Sequence, residues 1–60
     1  MTVKDLVDKM ENGAAHVVLI SKDTGEVLLS TIWYNLIEEK YLNAEVKHIY
    51  VIDYEMRLMI

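Results

Sequence analysis

His16-Val17-Val18-Leu19-Ile20-Ser21, then Lys22-Asp23-Thr24-Gly25, then Glu26-Val27-Leu28-Leu29-Ser30: the reading of this stretch decides the fold. The two flanking runs are short, apolar and rich in β-branched residues, which is strand chemistry. The polar tetrad between them ends in glycine and suits a short hairpin loop. The first run is apolar on both faces, with Val17 and Leu19 pointing one way and Val18 and Ile20 the other. A strand of that kind is central, or lies in a sheet covered on both sides.

Upstream, Val3, Leu6, Val7 and Met10 recur at i, i+3, i+4 and i+7, one apolar stripe of a helix, with Lys4, Asp5, Asp8, Lys9 and Glu11 on the other faces. Thr2 is placed to cap it, and Asp5 three residues on completes a capping box and favours the positive end of the helix dipole. Asn12-Gly13 supplies the stop, with Gly13 able to take a left-handed conformation.

Downstream, Thr31 to Asn43 carries Ile32, Trp33, Leu36, Ile37, Tyr41 and Leu42 around a polar arc of Glu38-Glu39-Lys40. The reading is a loop and then a short helix from about Leu36 to Leu42, capped by Asn35 and ended at Asn43; a longer helix from Thr31 is the alternative. Val46 to Ile60 reads as a second hairpin turning at Asp53-Tyr54-Glu55, without the usual glycine. Ile49 and Val51 share one face; His48, Tyr50 and Ile52 share the other; Met56, Leu58 and Ile60 alternate with Arg57 and Met59. The sequence therefore predicts one α+β domain over residues 1–60, order α-β-β-α-β-β, an antiparallel sheet with helix 1 packed on one face.

Composition bounds the function. A 60-residue chain that is 53% hydrophobic, with no cysteine, no proline and two glycines, is regular and apolar for its size. It buries only about 60% of the surface its unfolded form exposes, and its radius of gyration should be about 10 Å. Small domains usually lean on disulfides, metals or a partner chain. Without cysteine, and with only His16 and His48 as nitrogen ligands, self-association is the device left. Cysteine's absence fits a reducing, cytoplasmic setting. No apolar run approaches a membrane span, and the N-terminus lacks signal-peptide character. A net charge of -4 disfavours nucleic acid.

Helix 1 covers one sheet face. The other face, bearing residues such as Tyr50 and Ile52 with the set Val18 and Ile20, needs the second helix, a second chain or a different protein. Trp33, Tyr34, Tyr41, Tyr50, Ile52 and Tyr54 are the candidate interface residues, since Tyr and Trp suit surfaces that are apolar yet meet water. Catalytic chemistry is thin. Glu38 and Glu39, adjacent on a helix, diverge by about 100°. Ser21, Ser30, Thr24 and Thr31 lack a histidine–acid pattern, and Gly13 and Gly25 make no phosphate loop. No cofactor or metal site is expected, and no enzyme.

Met1-Thr2-Val3-Lys4-Asp5-Leu6, Gly25-Glu26-Val27-Leu28 and Glu38-Glu39-Lys40-Tyr41-Leu42-Asn43-Ala44-Glu45-Val46 together resemble small uncharacterised proteins of phages and prophages of Gram-positive (Firmicutes) gut bacteria. The resemblance covers nearly the whole chain and implies a TVKDL helix, a GEVL hairpin, a short helix and a final hairpin. Ile37 stands where that group often has proline, and the last turn lacks its glycine. The resemblance implies phage-like origin and carries no catalytic residues. Two functions follow: a homodimeric interaction protein docking on a host or phage protein, such as an inhibitor of a host protein; or a small-molecule or nucleotide binder at a dimer interface.

Overall fold

In a computed structural model, which describes residues 1–11 and 13–60, the chain forms α1 (Val3–Val7), β1 (His16–Ile20), β2 (Val27–Thr31), a 3-10 turn η1 (Tyr34–Leu36), α2 (Glu39–Leu42), β3 (His48–Ile52) and β4 (Glu55–Met59). The α+β class and the order of helices and strands match the sequence reading. The radius of gyration, 10.2 Å, matches the expected size.

The four strands make one sheet in the order β2-β1-β4-β3. Each hairpin is antiparallel, as expected, but the two hairpins join through β1 and β4, which run parallel. The sheet is therefore mixed rather than wholly antiparallel. The cause is the connection through η1 and α2, which crosses one face and returns the chain to the far side of β1, so that β4 arrives in β1's direction.

β1 is central, and its four apolar residues Val17, Val18, Leu19 and Ile20 are all buried. Its hairpin closes where Gly25, at φ +76°, donates its amide to the Ser21 carbonyl at 2.8 Å. The ladder shifts between Leu19 and Ile20, where Leu29 and Val27 are the successive partners. This bulge leaves Leu28 unpaired beside Val27 on the Ile20 side of the sheet.

α1 begins with the predicted capping box. The Thr2 amide donates to the Asp5 carboxylate at 2.9 Å, and the Asp5 amide donates to the Thr2 hydroxyl at 3.2 Å. The regular helix is shorter than the apolar stripe: Val3 and Val7 are buried within it, Leu6 packs partly against the core, and Met10 does so from the turns that follow. Gly13 takes the expected positive φ, +83°, but it does not stop the helix: α1 ends earlier, capped by Asp8, and the Gly13 amide donates to the Ile32 carbonyl at 2.9 Å. Asn12, its expected companion, lies outside the described residues. The strand of chain before α1 is stitched to the segment after α2: Val46 donates to the Met1 carbonyl at 2.8 Å, Val3 donates to the Ala44 carbonyl at 3.1 Å, and the Met1 amino group pairs with Glu45 at 2.5 Å.

The expected helix from Leu36 to Leu42 is two pieces. Tyr34 and Ile37 are both buried, and a 3-10 turn brings residues three apart to the same side. Ile37 is extended (φ -70°, ψ 126°), so Glu38, not Asn35, starts α2. Asn43 ends α2 as expected.

The core is a single cluster of Val3, Val7, Val17, Leu19, Tyr34, Ile37 and Leu58, with Tyr41 and Leu42 packed against it. All its sheet members belong to the Val17–Leu19–Leu58 face. α2 thus lies on the same side as α1, and none of the described helices covers the other face.

Candidate interaction surface

The register defines the open face. From β2 to β3 it carries Val27, Leu28 and Ser30; His16, Val18 and Ile20; Glu55, Arg57 and Met59; and His48, Tyr50 and Ile52. Val18 and Ile20 are buried although none of the described helices covers them. The rim remains apolar and exposed at Val27, Leu28 and Ile52.

No lysine or aspartate stands among these residues. Arg57 is the permanent cation, set between Val18 and Tyr50 by the ladder. Its guanidinium donates to Glu55 at 3.0 Å, while its Nε is buried with no partner. Hydrogen bonds to the Glu55 carboxylate, and next to Tyr50, raise its already high pKa. His48 and Tyr50 tilt against each other with ring centres 6.1 Å apart.

The register also makes a contact the sequence did not suggest. The Ser30 hydroxyl lies 2.6 Å from His16 Nε2, and Glu55 stands opposite His16 on β4. A nucleophile, a base and a carboxylate in line would suggest acyl transfer. Here the carboxylate is held by Arg57, and the pair lies on the open sheet. Ser30 stands opposite Val18, so the contact reaches diagonally across the ladder to His16, which the sequence does not signal.

The sequence-derived interface residues divide. Tyr50 and Ile52 stand together on the open face. Tyr54 is exposed at the β3–β4 turn, and Trp33 is half-exposed beyond the end of β2, its ring near Gly13. Because Glu55 is opposite His16 and Thr31 is opposite Val17, that turn and Trp33 flank the same end of the sheet. Tyr41 packs on the helical side, with the Lys40 ammonium 5.0 Å from its ring centre. Tyr34 is in the core, its hydroxyl bonded to Ala15, and is not presented to a partner.

A shallow depression of about 360 Å³ lies between α1 and the η1–α2 segment, lined by Lys4, Val7, Asp8, Tyr34, Asn35 and Leu42. Its charged groups, Lys4 and Asp8, satisfy each other at 2.7 Å. Among the described residues no cluster of three or more metal-ligating side chains occurs, and no helix is long and apolar enough to cross a membrane. No protein-family model, curated protein or solved structure matches this chain.

Proposed function

We propose that this chain is a small non-enzymatic protein-interaction module, of phage or prophage origin and cytoplasmic, that works as a homodimer and docks on a host or phage protein through the open face of its sheet. The observation that supports this reading is the chemistry of that face. Tyr, Met and Arg are enriched in the buried centres of protein interfaces, and Lys and Asp are depleted. Tyr50, Ile52 and Met59 around Arg57 have that make-up, over the buried Val18 and Ile20 and beside Glu55 and Ser30, on a face that none of the described helices covers. Large contiguous apolar patches on a small protein mark binding surfaces. Inhibition of the host protein it binds is the role that fits a module of this size, by analogy alone.

The test is affinity capture from bacterial lysate with matched surface variants. Leu28→Ser and Tyr50→Ala alter the open face, and Leu36→Ser alters an exposed residue on the helical side. A partner held by the wild type is expected to be lost with the first two and kept with the third. Equal retention by all three would remove the open face as the docking surface.

A further inference from the structure

We propose that the second copy of this chain joins along the exposed edge of β3, residue 50 against residue 50 across a two-fold axis, extending the sheet while leaving the open face free. This deepens the interaction reading above by assigning self-association to the edge and partner binding to the face.

The hydrogen-bonding phase of the sheet identifies the free groups. Ile60 donates its amide to the Ile20 carbonyl at 2.9 Å and accepts from the Lys22 amide at 3.0 Å, so its backbone faces β1. By alternation Leu58 and Met56 face β1 as well, and Glu55, Arg57 and Met59 face β3. The Lys47 amide, bonded to the Met59 carbonyl at 2.8 Å, agrees. Their ladder partners Ile52, Tyr50 and His48 therefore point inward, and the amides and carbonyls of Ile49 and Val51 point out along the edge.

His48-Ile49-Tyr50-Val51-Ile52 is self-complementary in that setting. With Tyr50 opposite Tyr50 of the second copy, Ile49 meets Val51 of the second copy and Val51 meets Ile49 of the second copy. Every outward amide and carbonyl of the strand then finds a partner. Just beyond the strand ends, the same register brings Lys47 to the same end of the seam as Asp53 of the second copy, placing opposite charges near each other. A shift by two residues loses the Lys47–Asp53 match and leaves only one outward residue of each strand facing its counterpart.

Side chains agree with the backbone. Ile49 and Val51 are exposed on the helical side although they stand on the core face, so α1 and α2 do not overhang this edge. A second strand would cover them with a β-branched cross-strand pair. The other edge carries a bulge at Val27 and Leu28, a device that discourages edge pairing. β3 has no bulge against β4, no proline and no charge within it. The paired edge is only about 17 Å long, which suits a reversible, concentration-dependent dimer.

The chain has no cysteine, so introduced thiols report proximity without background. Tyr50 would face its copy in a non-hydrogen-bonded position, where Cα atoms are about 4.5 Å apart, within disulfide range. Oxidised Tyr50→Cys is expected to become a covalent dimer, while Leu28→Cys and Leu36→Cys stay mostly single. Light scattering over a concentration series reads the same contact. Val51→Pro removes an amide that the monomer does not use, so circular dichroism is kept and the dimer is lost. Lys47→Asp weakens the dimer severalfold, and adding Asp53→Lys restores it. Crosslinking at position 28 instead of 50, or a folded Val51→Pro chain that still dimerises, overturns the edge assignment. A wild type that stays at 7.0 kDa throughout overturns it too. If open-face capture survives either result, the interaction reading stands and only the edge is lost.

Discussion

The Tyr34 hydroxyl closes two bonds with one residue: it donates to the Ala15 carbonyl at 2.6 Å and accepts from the Ala15 amide at 3.1 Å. Ala15 immediately precedes β1, and Tyr34 opens η1, so this clasp ties the entry of the central strand to the crossover. Tyr34→Phe keeps the ring in the core and leaves both Ala15 groups without their partner. A loss of about 1–3 kcal/mol is expected, the cost of stranding part-buried polar groups. Urea unfolding checks it; a stability loss below about 0.5 kcal/mol would mean that water replaces the hydroxyl.

The β3–β4 turn has the opposite prospect. Asp53 and Tyr54 have φ of 50° and 65°, the positive pair that a two-residue I′ hairpin requires. Asp tolerates this conformation, whereas Tyr54 is strained there and its side chain is almost fully exposed. Replacing the pair by Asn-Gly (Asp53→Asn with Tyr54→Gly) relieves strain of about 1–2 kcal/mol, less the entropy glycine adds to the unfolded chain. The expected outcome is a melting temperature higher by several degrees, read by circular dichroism.

Both sites show what the sequence could carry. The first hairpin was legible because its signals are local: four apolar residues in β1 and a turn ending in Gly25. The capping box of Thr2 and Asp5 was legible for the same reason. The parallel pairing of β1 with β4 was not, because strand direction depends on the path of the crossover rather than on any residue in either strand. Trp33 and Tyr34 are adjacent aromatics, and only the three-residue spacing from Tyr34 to Ile37 hints that the second points inward. His16 and Ser30 meet through the register of a hairpin, which composition does not reveal. Of the candidate surface, Tyr50 and Ile52 were readable from alternation, while Arg57, Leu28 and Met59 join them only once the strand order is known.

The capping box gives the fold an acid dependence with a definite sign. Hydrogen bonds from the Thr2 amide, then its hydroxyl, hold the Asp5 carboxyl below its ordinary value of 3.8. A lowered folded pKa contributes stability that is fully present above the unfolded value and is lost as pH falls through the folded one. The first turn of α1 is therefore expected to open on acidification below about pH 4, around the unfolded carboxylate value. Amide exchange at Lys4, Asp5 and Leu6 would report it. Asp5→Asn should remove this part of the acid response while leaving behaviour at neutral pH nearly unchanged in shape. An identical titration of the variant would assign the effect to other carboxylates.

Arg57 offers a way to test stability and the proposed open-face binding separately. Its Nε is buried without a hydrogen-bond partner, although the side chain as a whole is partly exposed. The Glu55 pair that accompanies it is partly exposed and contributes little. On the proposed docking role of the open face, a cation in the middle of an apolar sheet serves the partner more than the fold. Arg57→Met together with Glu55→Gln replaces the pair by groups of similar reach that leave no buried donor open. Unfolding stability is expected to stay level or rise, as when ion pairs in apolar surroundings are replaced by packed side chains. Capture of a partner through the open face is expected to fall sharply in the same variant. A stability loss above about 2 kcal/mol with binding retained would instead make Arg57 a structural clamp between β4 and Tyr50 on β3.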